Sequence, residues 1–259
     1  MNKYKLWKRK YSIDIICIAI VLTIIFNPCS SLAEEPQWGY EGVFNPTQWS
    51  KLSSEFESCQ LGRNQSPINL NLTDEGEPDE IEFNYQPTTV EVVNNGHTIE
   101  VEGYKSGNTV SIEGEVYQLV QFHFHTPSEH RINNQSSAME LHLVHQNDAG
   151  RLAVVGVEIE AGEENTAIAL IWNAIPDNKA DRNSITIDAA SLLPEDRTFV
   201  SYAGSLTTPP CNEEVSWNLL LEPIEVSPKQ IETFQNLYPY NARPIQALNG
   251  RSIKLHSYK

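Results

Sequence analysis

The stretch Gln118–His130, QLVQFHFHTPSEH, decides how the chain folds and where its chemistry lies. Its valine, phenylalanine and leucine residues, interleaved with histidine, predict a β-strand, in which residues i and i+2 point to the same face. His123 and His125 then project side by side, a pair suited to gripping one metal ion. A second strand-like run, Met139–Gln146 (MELHLVHQ), puts His142 on the face it shares with Glu140 and Val144. Histidines at these positions on neighbouring strands leave the fourth position of a tetrahedral zinc ion open, as catalytic zinc sites do. Gln121 and Glu140 each precede a histidine by two residues on the same face, where a side chain can accept the second imidazole N–H and fix the tautomer.

Outward from this centre, short β-like runs recur at Glu80–Tyr85, Thr89–Val93, His97–Gly103, Thr109–Glu113, Glu115–His125, Ala138–His145, Arg151–Glu160, Ser184–Asp188 and Glu214–Leu221. Turn chemistry separates several of them: Asn94-Asn95-Gly96, Ser106-Gly107-Asn108, and Asn147–Gly150 as an expected hairpin. Helix signals are fewer. Glu163–Ala174 carries Ala167, Leu170 and Ile171 at helical spacing. Ser227 reads as an N-cap, with Pro228 at the first helical position and Gln230 closing a capping box. Ile231, Phe234 and Leu237 are expected to face the core. The pattern is that of one β-dominated domain with peripheral helices.

The N-terminal segment reads as an address. Lys3, Lys5, Lys8, Arg9 and Lys10 precede an apolar run from Ile13 to Phe26, and Ser31-Leu32-Ala33 supplies the small residues of a cleavage site, so residues 1–33 are expected to be a signal peptide. Residues 34–259 would then carry 13 Lys+Arg against 33 Asp+Glu, a formal charge of −20. Such a surface argues against nucleic acid and anionic membrane as partners. Two of the four cysteines leave with the leader. Cys59 and Cys211 remain, an even pair in an exported chain, and a disulfide is the natural reading. It closes a loop for which chain entropy gives about 4–5 kcal/mol before strain. Two thiolate metal ligands are the weaker alternative. The acidic stretch Thr73–Glu82 reads as a solvated loop.

At this point the chain resembles the α-class carbonic anhydrases, and their bacterial secreted branch in particular. The resemblance rests on Trp38-Gly39-Tyr40, Gln65-Ser66-Pro67-Ile68, Asn94-Asn95-Gly96-His97, Gln121–His125, Ser128-Glu129-His130, Glu140–His145, Ser205–Pro210 and Asn241-Ala242-Arg243-Pro244. All of them fall in the family's order. The short Thr126-Pro127 link and the Cys59/Cys211 pair match the bacterial branch. The resemblance implies a mainly β (α+β) fold with a large twisted, mostly antiparallel central sheet and a few peripheral helices. It implies one zinc ion on His123, His125 and His142, and reversible hydration of CO2 by zinc-bound hydroxide.

Further roles follow from the same resemblance. Gln121 would orient His123, Glu140 would orient His142, and a backbone carbonyl at Asn241 would orient His125. Thr207 would give its single hydrogen to Glu129 and so accept one from the hydroxide. Val144, Val154, Leu206, Val215 and Trp217 would form an apolar wall for CO2, with Thr208 on the polar side; Val144 also follows from strand alternation. His97 would shuttle protons, with Tyr40 and Asn95 in the water-lined channel. Glu100 departs from the amide usual in that channel, and Ala242 stands where the family often has Trp. His130 and His145 are expected as hydrogen-bonded core residues and His256 as incidental. The expected partners are CO2, bicarbonate and water, for an exported monomer or homodimer with no membrane span after processing.

Two rival readings remain open. His123-x-His125-x-x-x-Glu129 imitates the opening motif of cupin-type enzymes, which would make Glu129 a ligand of iron or manganese. The later half of that pattern is absent. The other rival is a carbonic-anhydrase-like binding module without activity, a class that usually lacks one or more of the ligands present here.

Overall fold

The burial pattern of the strand Glu115–His125 sets the architecture. Tyr117, Leu119, Phe122 and Phe124 are buried in one core, while His123 and His125 lie on the other face. Leu119 and Phe122 are three residues apart, so simple alternation fails between them. A register shift between Leu119 and Gln121 supplies the extra residue. This bulge returns the histidines to the face opposite the core.

The computed structural model describes residues 36–72 and 81–257, and Pro36–Lys259 cluster as one compact unit. The expected signal peptide and most of the acidic stretch Thr73–Glu82 lie outside the described residues. The strands are β1 (Asn69–Leu70), β2 (Ile81–Asn84), β3 (Thr88–Asn94), β4 (Ile99–Glu102), β5 (Thr109–Ile112), β6 (Glu115–His125), β7 (Arg131–Ile132), β8 (Met139–Gln146), β9 (Leu152–Ala161), β10 (Arg182–Ile187), β11 (Phe199–Ser205), β12 (Glu213–Val226) and β13 (Lys254–His256). The main sheet has 11 strands in the order β10-β3-β4-β6-β8-β9-β12-β11-β13, with β2 joined to β5 and β5 to β6. Its pairs are antiparallel except β9 with β12. The mainly β fold with a mostly antiparallel sheet is thus the one expected.

One face of the sheet is covered by the helices Thr166–Asn173 and Pro228–Leu237, which bury Ala167, Ile168, Ile171, Ile231 and Phe234 against it. Ser227 and Gln230 form the expected capping box. Leu237 does not face the core as expected. It sits at the last helical position and lines a surface crevice with Trp38 and His97. Leu170 is likewise exposed.

The other face holds a smaller apolar cluster of Ile68, Leu70, Val154, Val200, Tyr202, Val215, Trp217 and Leu219. β12 runs past its expected end to Val226, and Pro223 falls inside a register shift between Leu220 and Ile224. A proline has no N–H to give a ladder, and the shift takes it out of the pairing. His256 is not incidental: it is buried, stacks on Phe199 at 4.3 Å, and pairs with the Ser201 hydroxyl at 2.8 Å. Cys59 and Cys211 form the expected disulfide, 152 residues apart, beside Trp49 and Phe56. No helix among the described residues is long and apolar enough to cross a membrane.

Candidate metal centre

Antiparallel pairing of β6 and β8 places His123 directly opposite His142 and His125 opposite Glu140. One ring nitrogen from each of His123, His125 and His142 lies within 4.8 Å of the others. The remaining nitrogen of each ring has its own partner. His123 Nδ1–H donates to Gln121 Oε1 at 2.8 Å, His125 Nδ1–H to the Asn241 carbonyl at 2.7 Å, and His142 Nε2–H to Glu140 Oε1 at 2.8 Å. That leaves His123 Nε2, His125 Nε2 and His142 Nδ1 with lone pairs. His125 Nε2 is buried without any hydrogen-bond partner.

A buried orphan acceptor is costly unless something satisfies it. Burial, with neighbouring imidazoles adding, lowers the His123 pKa well below its ordinary value, and burial holds His125 at about 4. Burial also lowers His142. Neutral imidazoles with free lone pairs are what a borderline-soft divalent ion requires, so the residues fit zinc.

His130, Glu140 and His142 also cluster within reach of one ion. That second group is already satisfied internally. Glu140 Oε1 accepts from His130 Nδ1 at 2.6 Å and from His142 Nε2, and Oε2 accepts the peptide N–H groups of Glu129 and His130, both at 2.8 Å. Burial works against its charge, but His130 and His142 hold the carboxyl well below the usual range. Gly156 makes room for this carboxylate. A Cβ there would stand 3.3 Å from Glu140 Oε1 and collide with Leu219.

Glu129 is buried beside two of these rings, 3.6 Å from the committed His125 Nδ1 and 4.0 Å from the free His142 Nδ1. Its Oε1 accepts the Arg243 peptide N–H at 2.7 Å. Burial pushes its pKa up to about 7, against the opposing pull of His142, that N–H and the Thr207 hydroxyl. Val154, Val215 and Trp217 belong to the apolar cluster described above, Val144 and Leu206 pack against it, and the Trp217 ring lies 4.8 Å from His142. Thr208 is half-buried in the adjoining turn, where its carbonyl accepts the Cys211 N–H.

His97 stands at the rim, half-buried, its ring stacked 3.8 Å from Trp38 in a crevice of about 580 Å3. Burial lowers its pKa, and Lys179 adds to the effect. Tyr40 packs edge-on against Trp38 and Trp49. Asn95 Oδ1 accepts the N–H groups of His97 and Thr98, both at 2.9 Å, and its amide N–H donates to Glu100.

His145 pairs with the Tyr85 hydroxyl at 2.6 Å, and His130 with that of Tyr202 at 2.7 Å, as core residues should. Trp38 and Arg243 are contributors that residue type did not single out. Arg243 acts through its backbone N–H, and its guanidinium goes to the Ser66 and Cys59 carbonyls. Trp38 meets His97 through a stacked ring contact between residues far apart in sequence.

Convergent neutral imidazoles on a β-sheet, beside an apolar wall and a buried carboxyl, form a cluster able to hold a metal ion. The family model for eukaryotic-type carbonic anhydrase matches residues 44–257. A carbonic anhydrase of Nostoc sp. is 42% identical over 244 residues, covering 90% of this chain and 92% of that one. One from Neisseria gonorrhoeae is 42% identical and covers 83% of this chain and 86% of its own. The solved α-carbonic anhydrase of Thermovibrio ammonificans, in complex with the inhibitor sulfanilamide, has a TM-score of 0.82 at 39% identity, over 85% of this chain and 99% of that one. The chain belongs to the eukaryotic-type carbonic anhydrase family and is an enzyme of that kind.

Proposed function

We propose that the chain catalyses the reversible hydration of CO2 to bicarbonate and a proton at one zinc ion held by His123, His125 and His142. The observation that carries this reading is the division of labour among six imidazole nitrogens: three are committed to Gln121, Asn241 and Glu140, and three converge free. Zinc so held supplies a nucleophile at neutral pH, because it brings the pKa of a coordinated water to about 7, as is established for carbonic anhydrases.

The chain's own residues do the rest. Gln121, Glu140 and the Asn241 carbonyl fix the tautomers and aim the lone pairs. The Thr207 hydroxyl has one hydrogen; given to Glu129, it leaves the oxygen only an accepting role toward the site, which orients the attacking group. CO2 has no charge and no net dipole, and the wall of Val144, Val154, Leu206, Val215 and Trp217 offers it an apolar surface. Thr208 borders the polar side, where the product leaves. His97 takes the released proton outward; burial and then Lys179 lower its pKa, which keeps the ring in the neutral form that accepts a proton. Tyr40 and Asn95 hold the channel between.

Stopped-flow CO2 hydration on oxidised residues 34–259, with zinc measured on the same sample, tests the reading. The expected outcome is fast turnover at one zinc per chain, with zinc and turnover both lost in His123→Ala. In His97→Ala, turnover slows by roughly 100-fold or more and added imidazole restores it. Zinc-loaded protein without turnover would make this a binding module, and iron or manganese in place of zinc would favour the cupin-like alternative. Residues 1–33 serve as an export signal in this reading, consistent with the disulfide. N-terminal sequencing of the exported protein should begin at Glu34.

A further inference from the structure

Glu100 lies on β4, next to the strand that carries two of the histidines. The antiparallel register sets it directly opposite His123. Its chain neighbours Ile99 and Val101 are buried in the core on the far face, so Glu100 shares the face of the site. Directly opposed side chains in such a pair have Cβ atoms about 4.5–5.5 Å apart. The carboxylate is also held in place. Asn95 Nδ2 donates to Glu100 Oε2 at 3.0 Å, and Asn95 cannot turn over because its carbonyl oxygen is occupied by two backbone N–H groups.

The surrounding charges do not neutralise it. Arg182 on β10 pairs with Glu91 and Glu102, on the sheet's exposed border. Lys179 lies by Gly96, and its charge acts on His97. Among the described residues no Lys or Arg forms an ion pair with Glu100. Burial raises its pKa, and the Asn95 N–H and Arg182 oppose that rise.

We propose that Glu100 is a specificity-determining residue that discriminates against anions: its carboxylate sets a negative potential over the open side of the histidine site. Small anions, bicarbonate among them, bind there more weakly and leave more readily, whereas neutral CO2 enters unaffected. The same charge favours a divalent cation in the site and slows its escape. For a partly solvated pair of unit charges on neighbouring strands, the effect on a monovalent anion is about fivefold in affinity, and it shrinks as salt screens it.

This inference rests on the zinc reading above, and the test separates the two. Wild type, Glu100→Gln and Glu100→Asp are loaded with zinc, and thiocyanate is titrated by calorimetry at low and high ionic strength. Zinc release to the chelator dipicolinate is timed on the same samples. Glu100→Gln is expected to bind thiocyanate about fivefold more tightly, with the gap narrowing at high salt, and to release zinc severalfold faster. Glu100→Asp, which keeps the charge, should match wild type in both. Should Glu100→Gln not fold, Glu100→Asn removes the same charge. Equal thiocyanate affinity and zinc release in zinc-loaded wild type and charge-free variant overturn the inference and leave the zinc reading standing. An Asp variant that behaves like Gln also overturns it, because carboxylate placement rather than charge would then be responsible. Wild type that holds no zinc overturns the zinc reading, and the inference with it.

Discussion

Glu140 on β8 and Glu158 on β9 stand directly opposite each other in the sheet register, and both are buried. Their surroundings drive them to opposite states. Glu140 accepts from four N–H groups and is held well below the usual carboxylate range. Glu158 keeps Oε1 without a partner, and burial, reinforced by Glu140, pushes its pKa up to about 8. Burial disfavours the charge of both. What separates them is the number of donors aimed at the charged form. The folded protein thus keeps an ionised and a neutral carboxyl side by side, the arrangement electrostatics favours at this spacing. Only the ionised one touches a candidate ligand.

Removing Glu140 breaks the contrast most severely. Glu140→Ala leaves four buried donors without an acceptor. At roughly 1–3 kcal/mol each, a stability loss above about 5 kcal/mol is expected in urea unfolding. Zinc affinity should fall roughly 10–100-fold as His142 loses its orienting partner. Unfolding like that of wild type would mean the four bonds contribute little.

Glu158→Gln sharpens the contrast through its pH dependence. In the folded chain this carboxyl titrates near 8, against an ordinary 4.5. As pH rises through 4.5 the unfolded chain releases its proton, while the folded chain keeps it until about 8. The group's contribution to stability is therefore full below the lower value, declines across the window and levels off above the upper one. At about 1.36 kcal/mol per pH unit, the decline is at most about 5 kcal/mol. The substitution removes it, so urea midpoints of wild type and variant should diverge steadily between those two pH values. Parallel curves would place Glu158 at an ordinary pKa.

The smallest expected effect is at the far end of Glu140's support. The Tyr202 hydroxyl bridges His130 Nε2 and Ser66 Oγ at 2.7 and 2.8 Å. Tyr202→Phe should cost about 1 kcal/mol. That corresponds to a fall of about 2–4 °C in Tm for a chain of this size, readable by calorimetry. A larger fall would mean that His130 moves when the hydroxyl is gone and that Glu140 loses a donor with it.

The metal-centre strands were legible because alternation and residue type agree there. His123, His125 and Glu115–His125 as a strand follow from period two and apolar neighbours. The bulge between Leu119 and Gln121 was not legible, since an inserted residue leaves the composition of a strand unchanged. β11 and β13 were missed because Phe199–Ser205 is broken by Ala and Gly, and Lys254–His256 is too short to show a period. The motif order brought Asn241 and Arg243 to notice, but the two bonds that serve the site, from His125 to the Asn241 carbonyl and from the Arg243 N–H to Glu129, run through backbone atoms, on which side-chain identity is silent. Glu158 reads as an ordinary polar position in an apolar strand. Its burial depends on which neighbours close over it.

The Cys59–Cys211 bond has a consequence for how the folded protein would withstand a protease. The bond turns residues 59–211 into a covalent ring, and His123, His125, His142, Glu129 and Thr207 all lie inside it. A single cut within the ring leaves both pieces joined, with every candidate ligand still tethered. Asn241 and Arg243 lie outside. A cut beyond Cys211 would let the tail depart with the carbonyl that aims His125 and the N–H that holds Glu129. The vulnerable part of the site is therefore its supporting tail, not its ligands.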